Sequence, residues 1–208
     1  MLKRTFDLLC SALALLLLSP AMLAIALLIK RSDGGLVFYR GLRAGRFGNP
    51  FRVYKFRTMV PNAEKIGGPS TADEDPRITR PGKFLRKYKL DELPELINVL
   101  RGEMSIVGPR PEVPQYVAMF TEEEKKILNL RPGITDWATL WNSDEGAVLA
   151  GSEDPEKVYL EKIRPTKVRL QLEYARKHSF LVDLSIVAQT LLAIVLRRKP
   201  AALSVLDG

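Results

Sequence analysis

Cysteine occurs once in the 208 residues, at Cys10, and histidine once, at His178. The first excludes an intramolecular disulfide, and the two together exclude a zinc site of the usual His/Cys kind. Any metal bound here is a hard, oxygen-liganded ion. Acidic residues are also in the minority, 24 against 32 lysines and arginines, for a formal charge of +8. That balance selects anionic partners: phosphates, nucleic acid or an acidic membrane surface. An exposed aromatic platform and a recognition motif for nucleic acid are both missing, which argues against a nucleic-acid binder. Apolar residues, by contrast, make up 46% of the chain, enough for the core of one domain plus an appendage.

The appendage is at the front. Leu8 to Ile29 is an apolar run of 22 residues interrupted by Ser11 and Ser19, long enough at about 1.5 Å per residue to cross the hydrocarbon of a bilayer. A cleaved signal peptide fits poorly, because the run continues past any cut near Ala24 and Asp7 sits inside the would-be basic leader. A lipoprotein signal fails on the bulk of Leu9 beside Cys10. Lys3 and Arg4 precede the run and Lys30 and Arg31 follow it, so the positive-inside tendency draws both ends to one side. In its middle, Pro20 has no N–H for the carbonyl of Leu16, and the Ser19 hydroxyl is placed to take over such a freed carbonyl inside lipid. Two arrangements answer this pattern, a re-entrant helix-break-helix with its break at Ser19-Pro20 and a kinked single span. The residues alone leave both open.

After the run the pattern turns to strands. LVFYR (36–40) and PFRVYKFRTM (50–59) are β-branched and aromatic and are separated by a glycine-rich stretch, which predicts a short antiparallel hairpin. Residues 61–83, with four prolines and three glycines, are expected to form an irregular surface loop. Helical spacing returns from Phe84 and stops at Arg101-Gly102. LDELPEL (90–96) thus falls near the start of a helix, where Pro94 is tolerated because first-turn N–H groups are unpaired anyway.

Asp91 and Glu92 are neighbours in that segment, and neighbours on a helix point about 100° apart, so they serve different partners. Acidic residues in a first turn commonly do no more than complement the helix dipole. Their neighbourhood points to more. Arg86 lies just upstream; SIVGPRPE (105–112) holds Arg110 between Pro109 and Pro111, with Gly108 allowing close backbone approach; Arg131 stands beside Pro132. Arginines ordered by proline suit bidentate contact with phosphate oxygens. Carboxylates among them point to Mg²⁺ held jointly with phosphates, since that ion takes one or two carboxylates and completes its shell with substrate oxygens.

KRTFDLLCSALALLLLSPAMLAIALLIK, FRVYKFRTM, LRKYKLDELPELINVLRGEMSIVGPRPE and LRPGITDWA, in this order and spacing, closely resemble the bacterial sugar transferases known as monotopic phosphoglycosyl transferases. The match runs from residue 3 to about residue 190, and the chain looks like the short form, without the extra spans and domain of larger members. The resemblance implies an α+β fold, mainly helical with a small antiparallel β-hairpin, made of a re-entrant membrane helix (1–31) and a cytoplasmic catalytic domain (32–208) with interfacial amphipathic helices, at the bacterial inner membrane.

It also implies a reaction. Such enzymes move a sugar-1-phosphate from a nucleotide sugar, commonly a UDP-sugar, to polyprenol (undecaprenyl) phosphate, releasing UMP and starting the assembly of a membrane glycan. The family's aspartate matches Asp91, expected to be the nucleophile and a ligand of Mg²⁺; Glu92 matches the second member of the dyad and is expected to orient the basic shell. Arg86, Arg110 and Arg131 are the phosphate-binding candidates, with Lys55 and Arg57 behind them. Because nucleotide sugars are made in the cytoplasm, the domain after residue 31 is expected on that side, with membrane lipid as a partner and an oligomer left open. The competing reading is a membrane-bound scaffold of the same shape that has lost catalysis, and the intact Asp-Glu pair argues against it.

The remaining segments are expected to seat the site. Residues 113–130 read as an amphipathic helix, with a capping-box pattern at Thr121 and Glu124. Residues 134–149 carry ITD where the family commonly has an ITG-type sequence, in a region expected to shape the nucleotide or sugar pocket. Trp137 and Trp141 are spaced for one helical face, as core or interface anchors. Residues 154–180 read as one or two helices with a break near Pro165, and 180–199 as an amphipathic helix packed on the domain or the membrane, its basic end at the headgroups.

Overall fold

The computed structural model describes residues 2–196. Helix α1 (Leu2–Asp33) leads into strand β1 (Phe38–Ala44), which turns back as β2 (Pro50–Phe56). Helices α2 (Arg80–Lys87) and α3 (Glu95–Arg101) follow, then the short strand β3 (Ser105–Val107), helix α4 (Pro114–Val117) and strand β4 (Gly133–Thr135). Five helices complete the order: α5 (Trp137–Trp141), α6 (Glu145–Leu149), α7 (Pro155–Val158), α8 (Arg164–Lys177) and α9 (Phe180–Leu196). The fold is mainly helical with a small antiparallel hairpin, as expected.

The hairpin pairs Phe38 with Phe56 and Ala44 with Pro50. Its inner face carries Phe51 and Val53 against Val99 of α3 and Met104. A second pairing, parallel between β3 and β4, matches Ser105 with Gly133 and Val107 with Thr135. It needs two glycines. A Cβ on Gly108 would stand 2.4 Å from the carbonyl oxygen of Arg131, and one on Gly133 2.1 Å from the Gly108 nitrogen. Behind this pair lies a core of Val107, Leu140, Tyr174 and Ile186, on which both Trp137 and Trp141 pack. The tryptophans are core residues.

α1 is one helix through Ser19 and Pro20, so the expected division into two helices is not present. The local chemistry explains the continuity: the Ser19 hydroxyl donates to the Leu16 carbonyl at 2.8 Å, the acceptor that Pro20 leaves without its N–H. Both ends of the helix are tied to the same body. At the start, Asp7 is buried and accepts from Ser105 Oγ (2.8 Å) and the Ile106 N–H (3.0 Å), Lys3 reaches Asp183 and the Val107 carbonyl, and Phe6 meets Phe180 edge-on. At the finish, Ile29 is buried with Phe56 and Leu85, and Asp33 pairs with Arg57. Between them Leu9, Leu13, Leu16, Leu17 and Leu23 point outward, each more than half exposed. Burying a leucine side chain is worth roughly 1.5–3 kcal/mol, so this face is costly to leave in water, and the helix is long and apolar enough to cross a membrane.

Two expectations are corrected, and the break expected near Pro165 is found. The helix placed at Phe84 begins at Arg80, where Thr79 caps it by accepting from the Gly82 N–H and Pro81 occupies the first turn. Residues 113–130 do not form one helix: α4 stops at Val117, Phe120 turns into a core with Ile127 and Val168, and a 3₁₀ segment runs from Glu124 to Asn129. The capping box within them is real, with the Thr121 N–H donating to Glu124 and the Glu124 N–H to Thr121. Residues 154–180 divide into α7 and α8 through a π-type turn at Tyr159–Ile163, just ahead of Pro165. α9 packs on the domain by Asp183 and Ile186 and leaves Leu191, Leu192 and Ile194 exposed; its basic end lies outside the described residues.

Candidate active site

The Asp-Glu pair is not inside a helix but in the link between two. Lys89 takes the left-handed conformation (φ 55°), which lets the chain turn directly out of α2 into a single 3₁₀ turn, Leu90–Glu92. A non-glycine residue held there is strained and persists only where the surroundings enforce it. Pro94 then caps α3, its fixed φ already helical.

This turn sends the two carboxylates to different places. Glu92 faces β2 and the loop after β3: it accepts from Lys55 Nζ at 2.7 Å and from both terminal nitrogens of Arg110. Burial alone would raise its pKa, but Arg110 and then Lys55 hold it well below the usual carboxylate range. Lys55 and Arg110 are reciprocally raised above their ordinary values, chiefly by Glu92 against the opposing effect of burial. Asp91 takes no part in these hydrogen bonds. It is 9% exposed, and its Oδ1 is buried with no hydrogen-bond partner. Burial pushes its pKa up, Glu92 adds to this, and Lys55, Arg86 and Lys89 pull it down.

Of the other sequence candidates, Arg86 lies near enough to act on Asp91 through its charge. Arg131 and Arg57 are not brought to the pair. Arg131 donates to the Gly102 carbonyl at 3.0 Å, at the end of α3, and Arg57 holds Asp33 and the Leu36 carbonyl, fixing the exit of α1 to the hairpin.

Three further residues shape the site. Glu95 is 1% exposed, with Oε1 3.3 Å from Lys55 Nζ and Oε2 without a partner, and burial pushes its pKa up to about 7. Its spacing from Glu92, one turn on, was the signal that could have found it. Asp136 of the ITD sequence is fully buried, caps α5 through the Thr139 N–H, and accepts from the backbone N–H of Arg110 at 3.2 Å. Gln171 of α8 donates to the Arg110 carbonyl and to Asp136. The backbone of Arg110 is therefore pinned on both sides, which no sequence spacing announces.

Among the described residues no group of three or more His, Cys, Asp or Glu side chains is arranged to hold a metal. A cage made by the protein alone is thus not the form of any site here. An Mg²⁺ that takes one carboxylate and fills its shell with phosphate oxygens needs less, and the free, buried Oδ1 of Asp91 fits that demand. The arrangement is a fixed cationic shell on one carboxylate, next to a second that is desolvated and uncommitted.

The model of the bacterial sugar transferases matches residues 1–197. An exopolysaccharide production protein ExoY of Sinorhizobium fredii is 38% identical over 94% of this chain and 86% of its own length. Larger relatives match as well. A UDP-N-acetylgalactosamine-undecaprenyl-phosphate N-acetylgalactosaminephosphotransferase of Aeromonas hydrophila is 37% identical over 93% of this chain and 43% of its own. A UDP-glucose:undecaprenyl-phosphate glucose-1-phosphate transferase of Escherichia coli is 38% identical over 91% and 39%. With nearly its whole length covered by the family's model, and a relative matched over 86% of that relative's own length, the chain belongs to the bacterial sugar transferase family.

Proposed function

We propose that the chain transfers a sugar-1-phosphate from a nucleotide sugar, of the UDP class, to undecaprenyl phosphate through a covalent phosphosugar intermediate on Asp91. The observation that carries this reading is the contrast within the pair: Glu92 is consumed by Lys55 and Arg110, while Asp91 keeps a buried, unengaged oxygen. Relatives whose names specify undecaprenyl-phosphate sugar phosphotransfer support the reaction class.

In the first step an oxygen of the Asp91 carboxylate attacks the phosphorus that bears the sugar. The bond from that phosphorus to the bridging oxygen breaks, and the bridging oxygen leaves with UMP. In the second step an oxygen of the polyprenol phosphate attacks the same phosphorus, the acyl-phosphate bond breaks, and Asp91 is restored as carboxylate. Two displacements replace one between two anions. Desolvation raises the basicity of the attacking carboxylate, and Arg110 faces the charge that builds on the phosphoryl oxygens. When bound, Mg²⁺ would be held by the Asp91 carboxylate and would supply charge neutralisation on the donor. Glu92 holds Arg110 and Lys55 at fixed positions, and Arg86 faces the same anion.

The membrane reading belongs to the same proposal. α1, helical throughout, bends at Pro20 within one leaflet and brings both its ends back to one side, seating the domain on the cytoplasmic face of the inner membrane, where nucleotide sugars are present. Both ends of α1 being fixed to one body supports this.

The test is UMP release from a panel of UDP-sugars by the purified chain, with Mg²⁺ and undecaprenyl phosphate added or omitted, alongside mass spectrometry of the protein. Release that needs Mg²⁺, with a phosphosugar adduct on Asp91 that the acceptor discharges, is the expected result. A normal adduct in Asp91→Asn rejects Asp91 as the nucleophile.

A further inference from the structure

We propose that the outer face of the β1–β2 hairpin, with the C-terminal end of α3, binds the phosphodiester headgroup of an anionic phospholipid. The inference rests on the seating of α1 in a membrane and not on the transfer chemistry.

The register places Arg40 opposite Tyr54 and Leu42 opposite Arg52, so these four side chains share one face of the hairpin, opposite the face that buries Phe51 and Val53. Arg101, the last residue of α3, reaches over the same surface: its guanidinium carbon lies 5.1 Å from the Tyr54 ring centroid and that of Arg40 4.5 Å. Arg52 donates to the Arg40 carbonyl. Two more guanidiniums border the patch at Gly102, where Arg131 donates to its carbonyl and Arg4 comes within 3.4 Å of the position a Cβ would take.

Five arginines thus gather around the end of one short helix. None of the ion pairs among the described residues involves Arg4, Arg40, Arg52, Arg101 or Arg131. Glu103, the nearest carboxylate along the chain, accepts from Asn98. The carbonyls of Val99, Leu100 and Gly102 at the negative end of α3 take part of the charge of Arg4 and Arg131. Arg40, Arg52 and Arg101 are all exposed.

An anion with paired oxygens is the complement of such donors, and the position of the patch identifies which anion. Arg4 stands one turn before the apolar run begins at Leu8, at the depth where a helix leaves hydrocarbon for headgroups. At the other end of α1, Ile29 covers Phe56, and the same hairpin face continues to Tyr54 and Arg52. Phe38 and Leu42, each more than a third exposed, lie among the arginines. Aromatic rings and arginines side by side at the rim of an apolar surface are interfacial chemistry.

The test uses the full chain in detergent micelles, titrated with phosphatidylglycerol or phosphatidylcholine and read by native mass spectrometry, with UMP release followed in parallel. Phosphatidylglycerol is expected to bind and phosphatidylcholine not. Arg40→Gln and Arg101→Gln are each expected to weaken phosphatidylglycerol about five-fold, and more in combination. Arg40→Lys with Arg101→Lys falls between, since charge remains while the paired donor geometry is lost. Equal affinity for both lipids, unchanged phosphatidylglycerol affinity in the glutamine variants, or displacement of the lipid by millimolar inorganic phosphate overturns the proposal. If the double variant melts early, the single variants carry the comparison. Lipid binding that follows the arginines in a chain that releases no UMP sinks the transfer reading and leaves this one standing.

Discussion

Glu92 accepts from both terminal nitrogens of Arg110, while the adjacent Asp91 has an oxygen that nothing in the protein claims. One carboxylate organises the cations; on the proposed reading the other is left to react. Glu92→Gln separates these duties: Arg110 and Lys55 lose the charge that orders them, and a buried pair broken on one side costs about 3–5 kcal/mol. The partial exposure of Arg110 discounts that figure to roughly 2 kcal/mol. The variant is expected to melt several degrees lower and to lose on the order of 100-fold in kcat/KM, while still forming some adduct on Asp91. Steady-state kinetics and adduct detection on the same preparation check both parts.

Asp91→Asn is expected to do the opposite to stability. The folded-state pKa of Asp91 is raised by burial, so the folded protein holds this proton more tightly than the unfolded chain. Stability therefore declines as pH rises from about 3.8, the ordinary value, through the raised one, and the loss persists at neutral pH. Asparagine carries no such loss. The variant should melt a few degrees higher than the parent at pH 7, the gain fading in acid, with no turnover. Thermal unfolding across pH distinguishes this from a simple structural lesion, which lowers Tm at every pH.

Glu95 gives a second titration, close to neutral pH. Its pKa moves from 4.5 to about 7 because burial penalises the charge, against the pull of Lys55. Stability contributed by the protonated form is complete below about 4.5 and is lost as pH rises through about 7, on the order of 2–3 kcal/mol in all. Glu95→Gln is expected to flatten this slope and to leave the Asp91 adduct intact. A parent chain whose Tm does not fall between pH 5 and 8, after Glu95→Gln is used as the reference, contradicts a protonatable Glu95.

These residues show what the sequence disclosed. The hairpin was legible because LVFYR and PFRVYKFRTM are rich in β-branched and aromatic residues and glycines mark the turn between them. Close backbone approach at Gly108 was legible from a glycine set before Pro109, but its partner Gly133 was not. The parallel pairing of β3 with β4 was not legible, since three residues per strand are too few to show a period. The helix expected over 113–130 failed because its apolar spacing serves two different cores, with Phe120 and Ile127 facing Val168 and Tyr116 facing Leu149, Tyr159 and Ile163. Asp136 stood out in the sequence as the D of ITD, but its hold on the backbone of Arg110, and that of Gln171, was not legible, since these contacts cross 26 and 61 positions of chain that no local spacing encodes.

The seating of α1 yields the last prediction. A span must put its ends on opposite sides of a hydrocarbon layer about 30 Å thick, yet here Asp7 is held by Ser105 and Ile106 while Ile29 is buried against Phe56 and Leu85. Releasing Asp7 to reach the far side would strand the Ile106 N–H and the Ser105 hydroxyl in a buried place, at about 1–3 kcal/mol each, and would carry Lys3 and Arg4 away from their acceptors. A cysteine introduced beside Met1, in a Cys10→Ser background, is therefore expected to react with a membrane-impermeant maleimide only after the cytoplasmic side is opened. Labelling in intact cells from the periplasm would show a spanning helix. Asp7→Ala sharpens the comparison: it removes the lock at Ser105 without altering the apolar run, so it should lower Tm by several degrees while the label stays cytoplasmic, because the basic flanks at both ends still favour that side.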